Sequence, residues 1–253
     1  MRTLVPAKYL LGVALALTFP GWSQPARAQE ARPCSFSGPP LEQAKCLLRP
    51  VAKSGIVGAA RPTLPDPLER LIGQRTTITK TSLKAFLTAH GINESEIGGA
   101  LSGPVSQTNA HVPARYFIIH DTSDPVPVGA TFPPTGMDTP AWSGNNLGRF
   151  LPPRKANPVA HVFINRLGQS ATGHDFSVPF RSTQFELRSV SRRGLFLGVE
   201  SIQPRHLDAH GSDAVSPDPG FTDAQLDRLA LVYVAASVRR GEWLIPGFHA
   251  VID

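Results

Sequence analysis

Three side chains of this 253-residue chain have the type and setting to do chemistry together: His120, Glu200 and His249. His120 follows the apolar run 116–119 of a strand over residues 115–120 and is followed at once by the polar stretch 121–124, so it sits where a strand leaves a sheet. A neutral imidazole in that position is well placed to ligate a metal ion. Glu200 lies near the end of a second apolar run, residues 194–202. A carboxylate there is costly to bury unless it has a partner or a task. His249 belongs to a segment, residues 244–249, that returns toward the sheet after the longest helix and is placed to meet His120. Two histidines and a carboxylate suit a metal-activated water. A hydrolytic zinc site takes three protein ligands and keeps one position open for that water. The third ligand stays open between Asp253, Asp121 and none. A serine hydrolase is disfavoured, because no Gly-x-Ser-x-Gly elbow occurs and Ser201 beside Glu200 lacks that context.

The elements that must position these residues can be read from periodicity. Residues 115–120 form a strand whose apolar run, 116–119, suits a central buried position. A proline- and glycine-rich stretch over 124–158 reads as a long surface loop. A hairpin follows, with strands over 159–165 and 169–172 about a turn holding Gly168, and residues 194–202 give a third core strand. The polar, proline-containing stretch 203–220 reads as loop. Thr222 and Gln225 have the spacing of a capping box, and Leu226, Leu229, Ala230, Tyr233 and Val234 recur at helical spacing to give one apolar face. Arg239 and Arg240 fall in the last turn and Gly241 ends it. Strands interleaved with helices predict an α/β layer structure: a central mixed β-sheet flanked by helices, with a small helical N-terminal region.

That N-terminal region, residues 29–112, shows short helices broken by proline and glycine over 39–48, 66–73 and 82–91, and a capping-box spacing at Asn93 and Glu96. It carries no chemical constellation and reads as an arm packed on the main domain. Residues 1–28 have the features of a secretory signal: Arg2 and Lys8, the apolar run over 9–19, and the small-x-small pattern of Ala26, Arg27 and Ala28. The apolar run is short for a membrane span, and no transmembrane segment is expected in the mature chain. Removing that segment takes away Arg2, Lys8 and Arg27 and no acid, so the formal charge falls from +6 to +3. The residual charge argues against a nucleic-acid partner and suits an anionic polymer. In an oxidising compartment Cys34 and Cys46 are expected to pair. A bridge closing so short a loop would contribute roughly 3 kcal/mol.

The order of elements carries a resemblance. Phe117-Ile-Ile-His-Asp-Thr-Ser123, then Ala160-His-Val-Phe-Ile-Asn-Arg-Leu-Gly168, then Leu197-Gly-Val-Glu200, then Phe221-Thr-Asp-Ala-Gln225, then Ile245-Pro-Gly-Phe-His249 resembles the type 2 N-acetylmuramoyl-L-alanine amidases. Their zinc-dependent fold is shared with peptidoglycan recognition proteins. The resemblance spans residues 113–253. It implies that His120 and His249 bind Zn2+ and that Glu200, in Gly198-Val199-Glu200, acts on the zinc-bound water and passes its proton to the leaving amine. Peptidoglycan or muropeptides would be the partner; His161 is expected to serve packing or substrate contact, and Arg181 and Thr183, where the groove wall would be, are candidates to hydrogen-bond the peptide stem. Relatives place a third ligand, aspartate or cysteine, beyond the second histidine, with a lysine just before it. Neither position is present here, so the domain is expected to lack its C-terminal end. The expected activity is hydrolysis of the amide between N-acetylmuramic acid and L-alanine of the stem peptide, by an exported, periplasmic or secreted protein. The alternative is a catalytically impaired peptidoglycan-binding module with an incomplete zinc site.

Overall fold

The computed structural model describes residues 33–52, 56–126, 129–206, 217–218 and 220–253. The segment read as a signal, residues 1–28, lies outside them. Residues 32–253 group as one compact unit. No helix of the described residues is long and apolar enough to cross a membrane.

The architecture is mixed α/β, built on a five-stranded mixed sheet. In chain order the helices and strands are α1 (Pro40–Leu47), α2 (Asp66–Leu71), α3 (Lys80–Ala89), β1 (Tyr116–Asp121), β2 (Asp124–Val126), β3 (Val162–Ile164), β4 (Ser170–Thr172), α4 (Gln184–Leu187), β5 (Phe196–Ser201), β6 (Pro204–His206), α5 (Asp223–Arg240), β7 (Ile245–Phe248) and α6 (His249–Ile252). The sheet runs β4-β3-β5-β1-β7. β3 and β4 form the expected antiparallel hairpin, while β3/β5, β5/β1 and β1/β7 pair in parallel. The stretches read as loops over 124–158 and 203–220 hold one strand each, β2 and β6, which pair in parallel as a separate ribbon. Their three-residue length left no alternation to read.

Because strand side chains alternate, one face of the sheet carries Phe117, Leu197, Val199, Val162 and Ile164, and packs against Val232, Ala235 and Ala236 of α5 and Leu83 and Leu87 of α3. The other face carries Tyr116, Ile118, Phe196 and Ile245 under Ala44 and Leu47 of α1. The N-terminal residues thus contribute to both cores. Cys34 and Cys46 are joined in a disulfide that ties the segment before α1 to its last turn. Leu47 reaches Gly247 of β7 so closely that a Cβ there would stand 2.9 Å from the Leu47 Cβ.

The expected capping boxes of α5 and of Asn93/Glu96 are present, and Gly241 ends α5 with φ 80°. The buried stripe of α5 differs from the one read in the sequence. Leu226 is exposed, whereas Gln225, Val232, Ala235, Ala236, Ser237 and Arg239 are buried. The second half of this helix is apolar or small on nearly every side, so periodicity alone did not fix its rotation. The small residues Ala235, Ala236 and Ser237 are the ones that let the helix approach the sheet. Arg239 is no exposed helix-end charge. It is buried, donating to Pro104 O at 2.6 Å and Asp175 Oδ1 at 2.7 Å.

Candidate functional site

The three parallel strands β5, β1 and β7 deliver their carboxyl ends to one place, the usual position of a ligand crevice in an open α/β sheet. In the register His120 stands opposite Glu200, and Ile119 opposite Phe248, so His249 follows as the next residue beside His120. His120, Glu200, Gly198 and His161 all belong to the face that lower in the sheet carries Tyr116 and Ile118. The apolar face of α1 and β7 therefore gives way, at the strand ends, to two imidazoles and a carboxylate.

The His120 and His249 rings stack with centroids 4.2 Å apart. His120 Nδ1 lies 3.7 Å from Glu200 Oε1. Both side chains are largely buried, and His120 Nε2 and Glu200 Oε2 have no hydrogen-bond partner. Burial holds the His120 pKa well below its usual value, with the neighbouring His249 and His161 adding to the effect. Burial also pushes Glu200 up to about 8, helped by the carboxylates of Asp121 and Asp124. A neutral imidazole keeps a lone pair for a metal, and a carboxyl titrating near neutrality can both take up and release a proton.

His249, on the exposed side of the pair, has its Nε2 2.6 Å from Asp253 Oδ2. The Asp253 carboxylate also accepts from Gln184 N at 2.6 Å and Phe185 N at 2.9 Å. Asp121, the other oxygen ligand considered, is engaged as well. It pairs with Arg205 and accepts from Ser123 N and Oγ at 2.9 and 2.7 Å. These contacts hold Ser123 at φ 44° and shape the rim after β1. Among the described residues, no cluster of three or more His, Cys, Asp or Glu side chains is arranged to hold a metal ion. The donor chemistry fits zinc at two positions, His120 and His249, with Glu200 alongside, while both aspartates are held by other partners.

A cleft of about 550 Å³ opens over the histidines. His120, His249, Phe248, Phe221, Arg61 and Arg205 contribute to its walls. Arg61 comes from the N-terminal region, where its Nε donates to Leu48 O at 2.8 Å. Sequence reasoning assigned that region no part in the site, and no local motif marks Arg61.

The three expected substrate contacts do not line this cleft. His161 is fully enclosed, with Nδ1 accepting from Gly198 N and Nε2 donating to Val178 O, both at 3.1 Å. Burial lowers its pKa to about 4, so it is a neutral brace between β3 and β5. Thr183 is the buried N-cap of α4, paired with Glu186 in a capping box. That Thr-x-x-Glu spacing was present in the sequence and marks a helix start, which explains the residue without a substrate. Arg181 is exposed and borders a different depression, with Phe180, Glu186 and Val190.

Ser182 was not singled out in the sequence. Its Oγ is buried without a partner, and a Cβ on Gly198 would stand 2.6 Å from that Oγ and 3.4 Å from His120 Nε2. Glycine at position 198 thus keeps open the space behind His120. Comparison with known proteins returned no matching protein family, no matching characterised protein and no matching solved structure.

Proposed function

We propose that the chain is a zinc-dependent peptidoglycan amidase of the type 2 N-acetylmuramoyl-L-alanine amidase family, acting after export in the periplasm or outside the cell. The observation that carries this reading is the pairing of His120 with His249 beside Glu200 at the carboxyl ends of β1, β7 and β5. His120 and His249 would hold the zinc, which when bound would activate a water and polarise the scissile carbonyl. Glu200 accepts a proton and returns it to the leaving amine, a role its raised pKa and its unpartnered Oε2 suit. The cleft over the histidines measures about 550 Å³, and Arg61 on its wall gives it positive charge toward the carboxylates of a stem peptide.

Stem-peptide release from purified sacculi, followed by mass spectrometry, tests the reading. Zinc-loaded protein is expected to release stem peptides and Glu200→Gln to abolish release while retaining zinc. Zinc-loaded protein that releases none would overturn it. One observation favours a second reading, a peptidoglycan-binding module with an incomplete zinc site: Asp253 and Asp121 are both committed to other partners. Protein that sediments with sacculi, holds no zinc and cleaves nothing would support that module.

A further inference from the structure

The carboxylate of Asp253 joins two parts of the molecule that are far apart in sequence. On one side it accepts the His249 Nε2–H at 2.6 Å, one helical turn away in α6. On the other it accepts the first backbone N–H groups of α4, from Gln184 and Phe185. α4 is itself held rigidly. Thr183 caps it, and Glu186, buried beneath it, accepts from Ser182 N at 2.6 Å, Thr183 N at 3.2 Å and Gly194 N at 3.1 Å. The carboxylate is 12% exposed, against 41% for the histidine it holds.

Resting on the zinc reading above, we propose that Asp253 is a positioning residue: anchored on α4, it fixes His249 with Nε2–H turned inward and the Nδ1 lone pair left for the metal. A carboxylate on the remote nitrogen of a ligating imidazole does two things. It sets which nitrogen carries the proton, and it raises the basicity of the other. Stacking on His120 restrains the plane of the ring, and Asp253 restrains its rotation within that plane. This assigns Asp253 behind the ligand. It also gives α4, which borders no part of the cleft, a share in the site.

Zinc affinity, measured by competition with a chromophoric chelator on the full chain, tests this. Asp253→Ala should weaken zinc about 10- to 100-fold, the usual effect of losing such a partner. Asp253→Asn should recover part of the loss, because its amide oxygen still accepts from Nε2–H. Thr183→Ala loosens the α4 anchor but leaves the Asp253–His249 pair in place, and should weaken zinc clearly less than Asp253→Ala does. A metal-free readout accompanies these. In protein labelled with nitrogen-15 at histidine, the His249 Nε2–H should show the signature of a carboxylate hydrogen bond, lost in Asp253→Ala. Equal zinc affinity in Asp253→Ala and the unaltered chain would overturn the proposal, as would an equal loss in Thr183→Ala. If the unaltered chain holds no zinc, the zinc reading fails, and the nitrogen-15 signal still decides whether Asp253 sets the His249 ring.

Discussion

The two faces of the central sheet are made by the same strands and solve opposite problems. On one face Phe117, Leu197, Val199, Val162 and Ile164 meet α5 and α3 in an apolar core. On the other, Tyr116, Ile118 and Phe196 begin the same way under α1, and then His120, Gly198 and Glu200 replace the apolar series at the strand ends. Of the buried polar atoms without a partner, His120 Nε2, Glu200 Oε2 and Ser182 Oγ gather there, within one or two residues of apolar neighbours. Leaving such groups unpaired costs on the order of 1–3 kcal/mol each. A fold accepts that cost where the groups have work to do, and the apolar core on the face opposite supplies the stability that permits it.

Substitutions on the two faces should therefore separate activity from stability. The largest effect is expected at Glu200: Glu200→Gln keeps the shape of the strand end and should lower stem-peptide release by about 10²- to 10⁴-fold, with the unfolding midpoint little changed. On the opposite face, Leu197→Ala removes a fully buried side chain and should cost about 2–5 kcal/mol in urea unfolding, while the folded fraction keeps its zinc affinity. Gly198→Ala, between them in the strand, should affect both. Its methyl would press on Ser182 and His120, costing about 1–3 kcal/mol and displacing a ligand, so zinc titration and urea unfolding should both shift. The smallest effect is expected at the rim, where Arg61→Gln should weaken binding of an anionic muropeptide by less than about tenfold in calorimetric titration and leave zinc untouched.

Much of this frame was legible in the sequence, for identifiable reasons. β1 and β5 each run through four apolar or small residues into two polar ones, so both their burial and the exit positions of His120 and Glu200 could be read. Reciprocal caps made the starts of α5 and of the Asn93 turn visible. The paired cysteines followed from their number. What escaped was set by tertiary packing. The rotation of α5 was decided by close approach of Ala235, Ala236 and Ser237, and the three-residue strands β2 and β6 have no period of their own. His161 offered a polar type on an apolar strand, and only the fold shows both its nitrogens consumed by backbone groups. Thr183 was read for its hydroxyl, while its distance to Glu186 is what marks it as the N-cap of α4. The cleft wall at Arg61 depends on α1 docking against β7, a contact between distant segments that no local pattern encodes.

The central claim is that His120 and His249 hold a hydrolytic zinc beside Glu200. Its most direct test is the zinc content of the purified chain, determined by mass spectrometry after dialysis against limiting zinc, together with His120→Ala and His249→Ala. About one zinc per chain, lost in both variants and matched by chelator-sensitive release of stem peptides, is the result expected. Zinc content unchanged by either substitution, or peptide release that survives complete removal of the metal, would contradict it.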